Sequence, residues 1–302
     1  MTIHLTRGAA ADPQPDAAPL HGAGGFPAGR RERGTAPRRT VFYLGGPPHW
    51  AQDSQVPLMI SANALMNRQV GGPRSPMARC RYALDSAGFS QVGKHGDYLL
   101  DPDEWGGMVY RLMDRFGAPP EFASCQDFMT EPQITARTGF TVAQHQTFTV
   151  DSYVYLVEQF PAAPWVPVLQ GQRVGEYLEH CAMYEAAGVD LAALPLVGVG
   201  SVCRRQGTRE AGHILAELAG RGLALHGFGL KLSGLRAYGH HLASADSYAW
   251  SYGARRRRVR LPECTHRAAD CRTCRRYALL WRDRVLEALD APKQLTLCTT
   301  PH

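Results

Sequence analysis

The sequence predicts an α/β chain wound as a (β/α)8 TIM barrel, and three observations carry that prediction. Short apolar runs that end in Gly, Asp, Gln or Pro recur eight times after Thr40. Longer stretches with apolar residues at helical spacing lie between most of them, which is the pattern of parallel strands joined by helices. The length of 302 residues suits one barrel domain of about 250 residues with short additions.

In chain order, strands are expected over 41–45, 57–61, 82–85, 122–127, 166–170, 194–199, 223–228 and 242–246. Helices are expected over 102–116, 175–187 and 209–221, where the apolar spacing is clearest. Residues 1–39 are rich in Ala, Gly, Pro and Arg and carry almost no apolar periodicity. They cannot bury enough surface to offset the entropy of ordering, so a disordered basic arm is expected. The barrel core is assigned to 40–250, and an Arg-rich segment ending in a helix to 251–302.

Composition narrows the setting. A hydrophobic fraction of 44% and a charged fraction of 20% fit a soluble globular protein, and no uninterrupted apolar run is long enough for a membrane span. The N-terminus lacks the basic-then-apolar layout of a secretory signal. A cytoplasmic protein is therefore expected, with its eight cysteines read as thiols and a metal site rather than disulfides. The net charge of +6 is local: 1–40 carry six Arg against three acids, 251–290 carry eleven Arg against five, and the remainder sums to −3.

In a barrel of this kind the chemistry sits at the C-terminal ends of the strands. There the runs close on Asp85, Asp127, Gln170, Gly198 to Gly200, His226 to Gly229, and Asp246. An Asp after a strand is also a common helix cap or turn former. Three carboxylates and an amide at one mouth, beside glycines that let a flat ligand approach the backbone, suit recognition of a heterocycle and substitution at an anomeric carbon.

Near the C-terminus, Cys264-Thr265-His266 is followed by Cys271-Arg272-Thr273-Cys274. Four soft or borderline ligands at this spacing close a tetrahedral zinc site, a staple that a short Arg-rich loop with little apolar content needs to fold. A small C-terminal zinc-binding subdomain is thus expected, with structural Zn2+ on Cys264, His266, Cys271 and Cys274. The other cysteines read as ordinary thiols.

The strand ends resemble those of the tRNA-guanine transglycosylases, and more closely the DpdA-like branch that modifies DNA with deazapurines. The resemblance covers roughly residues 41–280. Leu84-Asp85-Ser86-Ala87-Gly88-Phe89 is similar to an Asp-Ser-Gly-Gly-Phe signature, with Ala87 in place of one glycine. Val168-Leu169-Gln170-Gly171 is similar to a Val-Gln-Gly strand, and Val197-Gly198-Val199-Gly200 stands where a glycine-rich strand end follows. His226-Gly227-Phe228-Gly229 resembles a Met-Gly-Val-Gly segment, and Ser244-Ala245-Asp246-Ser247 the strand carrying a nucleophilic aspartate. The family's zinc ligands are typically Cys-x-Cys-x-x-Cys and a distant His, from which the local set here departs.

The resemblance implies a base exchange in which Asp246 attacks C1′, expels guanine and holds a covalent glycosyl-enzyme until a 7-deazaguanine-type, preQ0-like base arrives. It implies Asp85 as general acid and base. Asp127 would accept from the base N1 and exocyclic amine, and Gln170 with backbone amides near Gly198 would donate to the ring carbonyl. Ser86, Val199, Gly200, His226 and Gly227 complete the implied base site, with Phe89 or Tyr248 stacking on the ring.

Arg255, Arg256, Arg257, Arg258 and Arg260 lie between the nucleophile strand and the metal loop, where a sugar-phosphate chain would enter; Arg272, Arg275 and Arg276 extend the block. Phosphate binding there predicts affinity that falls steeply with salt. The substrate favoured by the resemblance is DNA over tRNA. A base in a duplex must be extruded, and the chain shows no extra nucleic-acid-binding domain, which leaves helper proteins and a homodimer open. Two further readings also stand: N-glycosyl transfer to a deazapurine in a small nucleoside or natural product, and a catalytically silent binding subunit.

Overall fold

The structure is a computed structural model that describes residues 40–66, 80–203, 205 and 207–290. The arm expected over 1–39 lies outside the described residues, as do 291–302. Nine strand segments form one sheet: β1 Val41–Gly45, β2 Leu58–Ser61, β3 Tyr82–Asp85, β4 Ala123–Ser124, β5 Trp165–Val166, β6 Val168–Leu169, β7 Val197–Val199, β8 Leu225–Gly227 and β9 Leu242–Ser247. Their order is β5-β4-β3-β2-β1-β9-β8-β7-β6, with every pairing parallel.

Pro167 alone separates β5 from β6, so the nine segments are eight staves and the sheet meets itself at that residue. A proline has no N–H to give to a ladder. Its carbonyl accepts instead from Gly198 N at 2.8 Å, while the carbonyl of Val166 accepts from Cys125 N at 3.2 Å on the other side. The run expected over 166–170 is thus one stave in two pieces.

Helices cover the outside: α1 Ala62–Met66 after β2, α2 Gly88–His95 and α3 Pro102–Phe116 after β3, α4 Pro132–Thr138 and α5 Val142–Gln159 after β4, α6 Val174–Ala186 after β6, α7 Arg209–Gly220 after β7, α8 Leu232–Tyr238 after β8, and α9 Ala249–Arg257 with α10 Arg275–Asp290 after β9. Local chemistry sets several ends. Asp101 and Glu104 form a reciprocal capping box at α3, with Pro102 in the first turn, and Gly117 stops the helix in the left-handed region. Thr141 and Gln144 cap α5 in the same way. No helix among the described residues is long and apolar enough to cross a membrane.

Strand alternation divides the apolar residues into two cores. Phe42, Leu44, Leu58, Ile60, Tyr82 and Leu84 face the helices. Their neighbours Tyr43, Met59 and Ala83 point into the barrel, where they meet Phe122 and Val166. Trp281 and Val285 of α10 join the outer core, and the Trp281 ring lies 5.9 Å from that of Phe42, so α10 seals the helix layer beside the first stave. The same alternation places Ser61, Asp85 and Asp246 one step beyond the inner layer, at the mouth.

The strands expected over 122–127, 194–199 and 223–228 are all shorter in the structure, and in the first two side chains take over backbone groups. Past Ser124, Gln126 N donates to Ser152 Oγ at 3.1 Å and Phe128 N to Thr149 Oγ1 at 2.9 Å, so α5 replaces a strand neighbour. Before β7, the Asp190 carboxylate accepts from Ala192 N and Ala193 N at 3.1 and 3.2 Å and turns the chain where extension was expected from 194.

Trp105 links this packing to the mouth. It is buried at 1% exposure and its indole donates to the Ser124 carbonyl at 3.1 Å, while Ser124 Oγ accepts from Ser86 N at 2.9 Å. Trp105→Ala is expected to destabilise the fold by about 3–5 kcal/mol, measured by urea denaturation; a change under about 1 kcal/mol would contradict this account of the β3–β4 packing.

Candidate active site and metal centre

The predicted polar residues gather at the C-terminal ends of the staves. Asp85 is the last residue of β3, and Ser61 is its register partner at the end of β2. Asp246 lies on β9 opposite Tyr43 of β1. Asp127 follows β4, Gln170 follows β6, and Ser201 stands two residues past β7.

One hydrogen-bonded chain runs across the mouth. Asp127 Oδ1 accepts from Ser86 Oγ at 3.1 Å and its Oδ2 from Gln170 Nε2 at 2.5 Å, while its main-chain carbonyl accepts from the Tyr98 hydroxyl at 2.9 Å. On the far side of the amide, Ser201 Oγ lies 2.6 Å from Gln170 Oε1 and 2.8 Å from Glu131 Oε2, and it accepts from Thr130 N at 3.0 Å. Gln170 is further held through its backbone, with N donating to His180 Nδ1 at 2.9 Å and O accepting from Gln146 Nε2 at 2.7 Å. Its amide is therefore fixed in orientation before any ligand arrives.

Backbone shape serves this chain. A Cβ on Gly200 would strike the Gln170 side chain, and one on Gly88 would come within 2.7 Å of the Asp127 carbonyl oxygen, so both positions require glycine. Ala87, in place of a signature glycine, adopts φ 67°, the left-handed region that glycine enters most cheaply. Ser201 is also left-handed at φ 53°, a cost of order 1–3 kcal/mol that aims its hydroxyl between Gln170 and Glu131.

Crowding at the mouth moves the acids. The Asp85 carboxyl is raised to about 7, first by burial and then by the charges of Asp246 and Asp127, against hydrogen bonds from the Ala87 backbone and the Ser61 side chain. Asp127 is raised to about 6 by burial, opposed by its bonds from Ser86 and Gln170. Burial and Asp127 also push the Tyr98 hydroxyl well up, which keeps it a donor. Asp246 Oδ1 accepts from Gly229 N at 2.9 Å and lies 3.4 Å from His226 Nε2.

Other expected contributors fall differently. The Gly198 and Gly200 amides donate to the carbonyls of Pro167 and Leu169 at 2.8 and 2.9 Å, so the barrel ladder uses them and the expectation that amides near Gly198 serve a ring carbonyl is corrected on both. Val199 faces the outer core, and a side chain at Gly227 would meet Leu230 and Leu242, so these two offer only backbone. His226 is fully buried inside the barrel. Tyr248 reaches the Gly46 carbonyl with its hydroxyl at 2.5 Å, and Phe89 is exposed on α2.

Ser61, Tyr98, Glu131 and Ser201 are site residues that the sequence reading did not single out. Ser61 closes the second apolar run, so the strand-end rule reaches it; Ser201 sits directly after the glycine-rich strand end. Tyr98 and Glu131 carry no such signal. Tyr98 arrives through the loop between α2 and α3, and Glu131, standing before Pro132, reads as a helix N-terminus.

Behind the last stave, Cys264, His266, Cys271 and Cys274 bring one donor atom each within 4.8 Å of one another and can hold a metal ion. Cys264 Sγ lies 3.5 Å from Cys274 Sγ and 3.7 Å from Cys271 Sγ, and Cys271 Sγ lies 3.4 Å from His266 Nε2. Ligands about 2.3 Å from a tetrahedral zinc stand about 3.8 Å apart, so the donor set fits that ion. His266 Nδ1 faces the Ala268 carbonyl at 3.2 Å, leaving Nε2 for the cluster. The Leu261 amide donates to Cys271 Sγ at 3.3 Å.

The Arg block divides into two groups. Arg255, Arg256, Arg257 and Arg258 are exposed at the end of α9. Arg260 instead donates to the carbonyls of Cys264, His266 and Ala268 and so braces the metal loop. Arg272, Arg275 and Arg276 pair with Asp270, Asp53 and Glu263, so the expected extension of the patch is partly neutralised within the chain.

The polar mouth of this (β/α)8 barrel is a site built to take a polar, flat ligand at the strand ends, where barrel enzymes carry their chemistry. The chain belongs to the DpdA family, described as DeoxyPurine in DNA protein A, whose sequence model matches residues 38–300. That family is a transglycosylase-like one of deazapurine DNA modification. None of the curated proteins compared with the chain matches it.

Two outcomes are expected. Because burial and neighbouring charge raise Asp85 in the folded state from the ordinary carboxyl range to about 7, the folded state binds the extra proton between those values and loses that stabilisation as pH climbs through about 7. Asp85→Asn should therefore be more stable than the parent at pH 8, by about 1–3 kcal/mol, and no more stable at pH 4; equal melting shifts at both pH values would contradict the crowding. Elemental analysis should find one metal ion per chain, lost in Cys271→Ser with a melting temperature lower by about 5–10 °C.

Proposed function

We propose that the chain exchanges guanine in DNA for a 7-deazaguanine-type, preQ0-like base through a covalent ester between Asp246 and C1′. The observation that carries the proposal is the pairing of Asp85 with Asp246: an acid that holds a proton near neutrality stands beside a second one anchored by a backbone amide. In the first displacement an Asp246 oxygen bonds to C1′ as the C1′–N9 bond breaks. The electron pair leaves with guanine, and Asp85 supplies the proton that neutralises it. In the second, the incoming base gives its N9 proton to the Asp85 carboxylate, N9 bonds to C1′, and Asp246 departs as a carboxylate. Two inversions retain configuration.

The chain of side chains from Ser86 to Glu131 supports recognition of a guanine-like edge. Asp127 offers acceptors to the ring N1–H and exocyclic amine, and Gln170 offers its amide to the ring carbonyl. Zinc is the proposed ion of the Cys/His cluster, where it would tie α9 to α10 and hold the basic loop in shape. The exposed Arg255 to Arg258, on the helix directly after the nucleophile strand, would take the DNA phosphates.

Radiolabelled deazaguanine incubated with DNA, with tRNA and with free nucleosides is expected to label DNA. Asp246→Asn should keep the parent melting behaviour, lose covalent trapping and slow exchange by about a thousandfold or more. Undiminished exchange in that variant would remove Asp246 as nucleophile, and label confined to nucleosides would select the small-molecule substrate.

A further inference from the structure

His226 occupies the position of the Met in the Met-Gly-Val-Gly segment that it resembles, and an ionisable ring there calls for a physical reason. The residue is fully buried, and its ring is walled by Tyr43, Phe122 and Phe228 at centroid distances of 6.0, 4.8 and 4.5 Å. In that apolar box it has two polar neighbours. Nδ1 lies 2.8 Å from the hydroxyl of Ser244, its register partner on β9, and Nε2 lies 3.4 Å from Asp246 Oδ1. Nε2 makes no hydrogen bond in this geometry.

The neighbours select the tautomer. A bare Nε2 lone pair facing a carboxylate oxygen would oppose two acceptors in a dry interior. With the Ser244 hydroxyl donating to Nδ1, the ring proton sits on Nε2, the ring nitrogen 3.4 Å from Asp246 Oδ1. A contact of 3.4 Å is long, as catalytic hydrogen bonds often are before substrate binds. Both contacts to the Asp246 carboxylate, from Gly229 N and from His226, fall on Oδ1.

We propose that His226 is a positioning residue for the nucleophile: with the Gly229 amide it holds Asp246 Oδ1, and Oδ2 is thereby the atom that bonds to C1′. The inference rests on the reading of Asp246 as the nucleophile. In the covalent ester Oδ1 is the carbonyl oxygen. When the incoming N9 bonds to C1′ and the Oδ2–C1′ bond breaks, its electron pair returns to a carboxylate whose Oδ1 already has two donors. The proton on Nε2 stays on the ring throughout, so no further reactant is needed.

The test compares His226→Met, His226→Gln and Ser244→Ala with the parent and with Asp246→Asn, in steady-state exchange on DNA with labelled deazaguanine. His226→Met is expected to leave KM for the base within about twofold and to lower kcat about 10–100-fold, the usual cost of losing a group that orients a reactive one. His226→Gln, whose amide can again present an N–H, should recover most of the loss, and Ser244→Ala should lie between. Histidine-labelled parent protein read by 15N NMR should show the Nε2–H tautomer at His226, a readout independent of turnover. Parent-like kcat in His226→Met, no rescue by Gln, or an Nδ1–H tautomer overturns the proposal. If His226→Met fails to melt as a folded protein, parent-like kcat in Ser244→Ala overturns it instead. Activity in Asp246→Asn would strike the nucleophile reading itself.

Discussion

Closure of the sheet at Pro167 is the constraint on which the rest of the molecule depends. It sets β4 and β7 on the two sides of one stave, bonded to residues 165–166 and 168–169. Only then can Asp127, Gln170 and Ser201, which leave three successive staves, share one run of hydrogen bonds. The seam of the barrel is also the floor of the site. Polar groups at that floor are costly to leave unpaired: the Asp127 carboxylate, the Gln170 amide and the Ser201 hydroxyl are paired, whereas Glu131 Oε1, His180 Nε2 and His226 Nε2 have no hydrogen-bond partner among the described residues.

The same crowding creates the electrostatics. Three carboxylates converge at the mouth: burial with the charges of Asp246 and Asp127 raises Asp85, and burial with the charge of Glu131 raises Asp127, into the range where a proton can be held and released near neutrality. The fold sustains this with backbone strain at two mouth residues, Ala87 and Ser201, each in the left-handed region. Strain concentrated beside raised carboxyls is characteristic of a site kept for function rather than stability.

Outside the mouth, positive charge is apportioned by geometry. Arginines that look equivalent in the sequence split between bracing the metal loop, as Arg260 does, pairing with acids, as Arg272 and Arg275 do, and lying exposed on α9. The four Cys and His residues that can hold a metal ion are local in the chain, so their cluster needs only a short loop to form, and that loop follows the exposed arginines at the end of α9, the helix after β9.

Much of this was legible in the residues. The eight staves follow from apolar runs of strand length, because a strand buried on both faces has no polar alternation to blur it. The strand-end acids Asp85, Asp127 and Asp246 and the amide of Gln170 follow from the rule that a barrel does its work at those ends, and the Cys/His ligands from spacing alone. The early end of β4, the recruitment of Tyr98 and Glu131, the loss of the Gly198 and Gly200 amides to the ladder and the place of His226 beneath Asp246 depended on tertiary structure. Each rests on a partner 17 to 71 residues away, such as Gly229 for Asp246 and Ser201 for Thr130. Periodicity and spacing report what a residue does within its own element; which side chain meets which across a closed barrel is settled by register and closure, which no local pattern encodes.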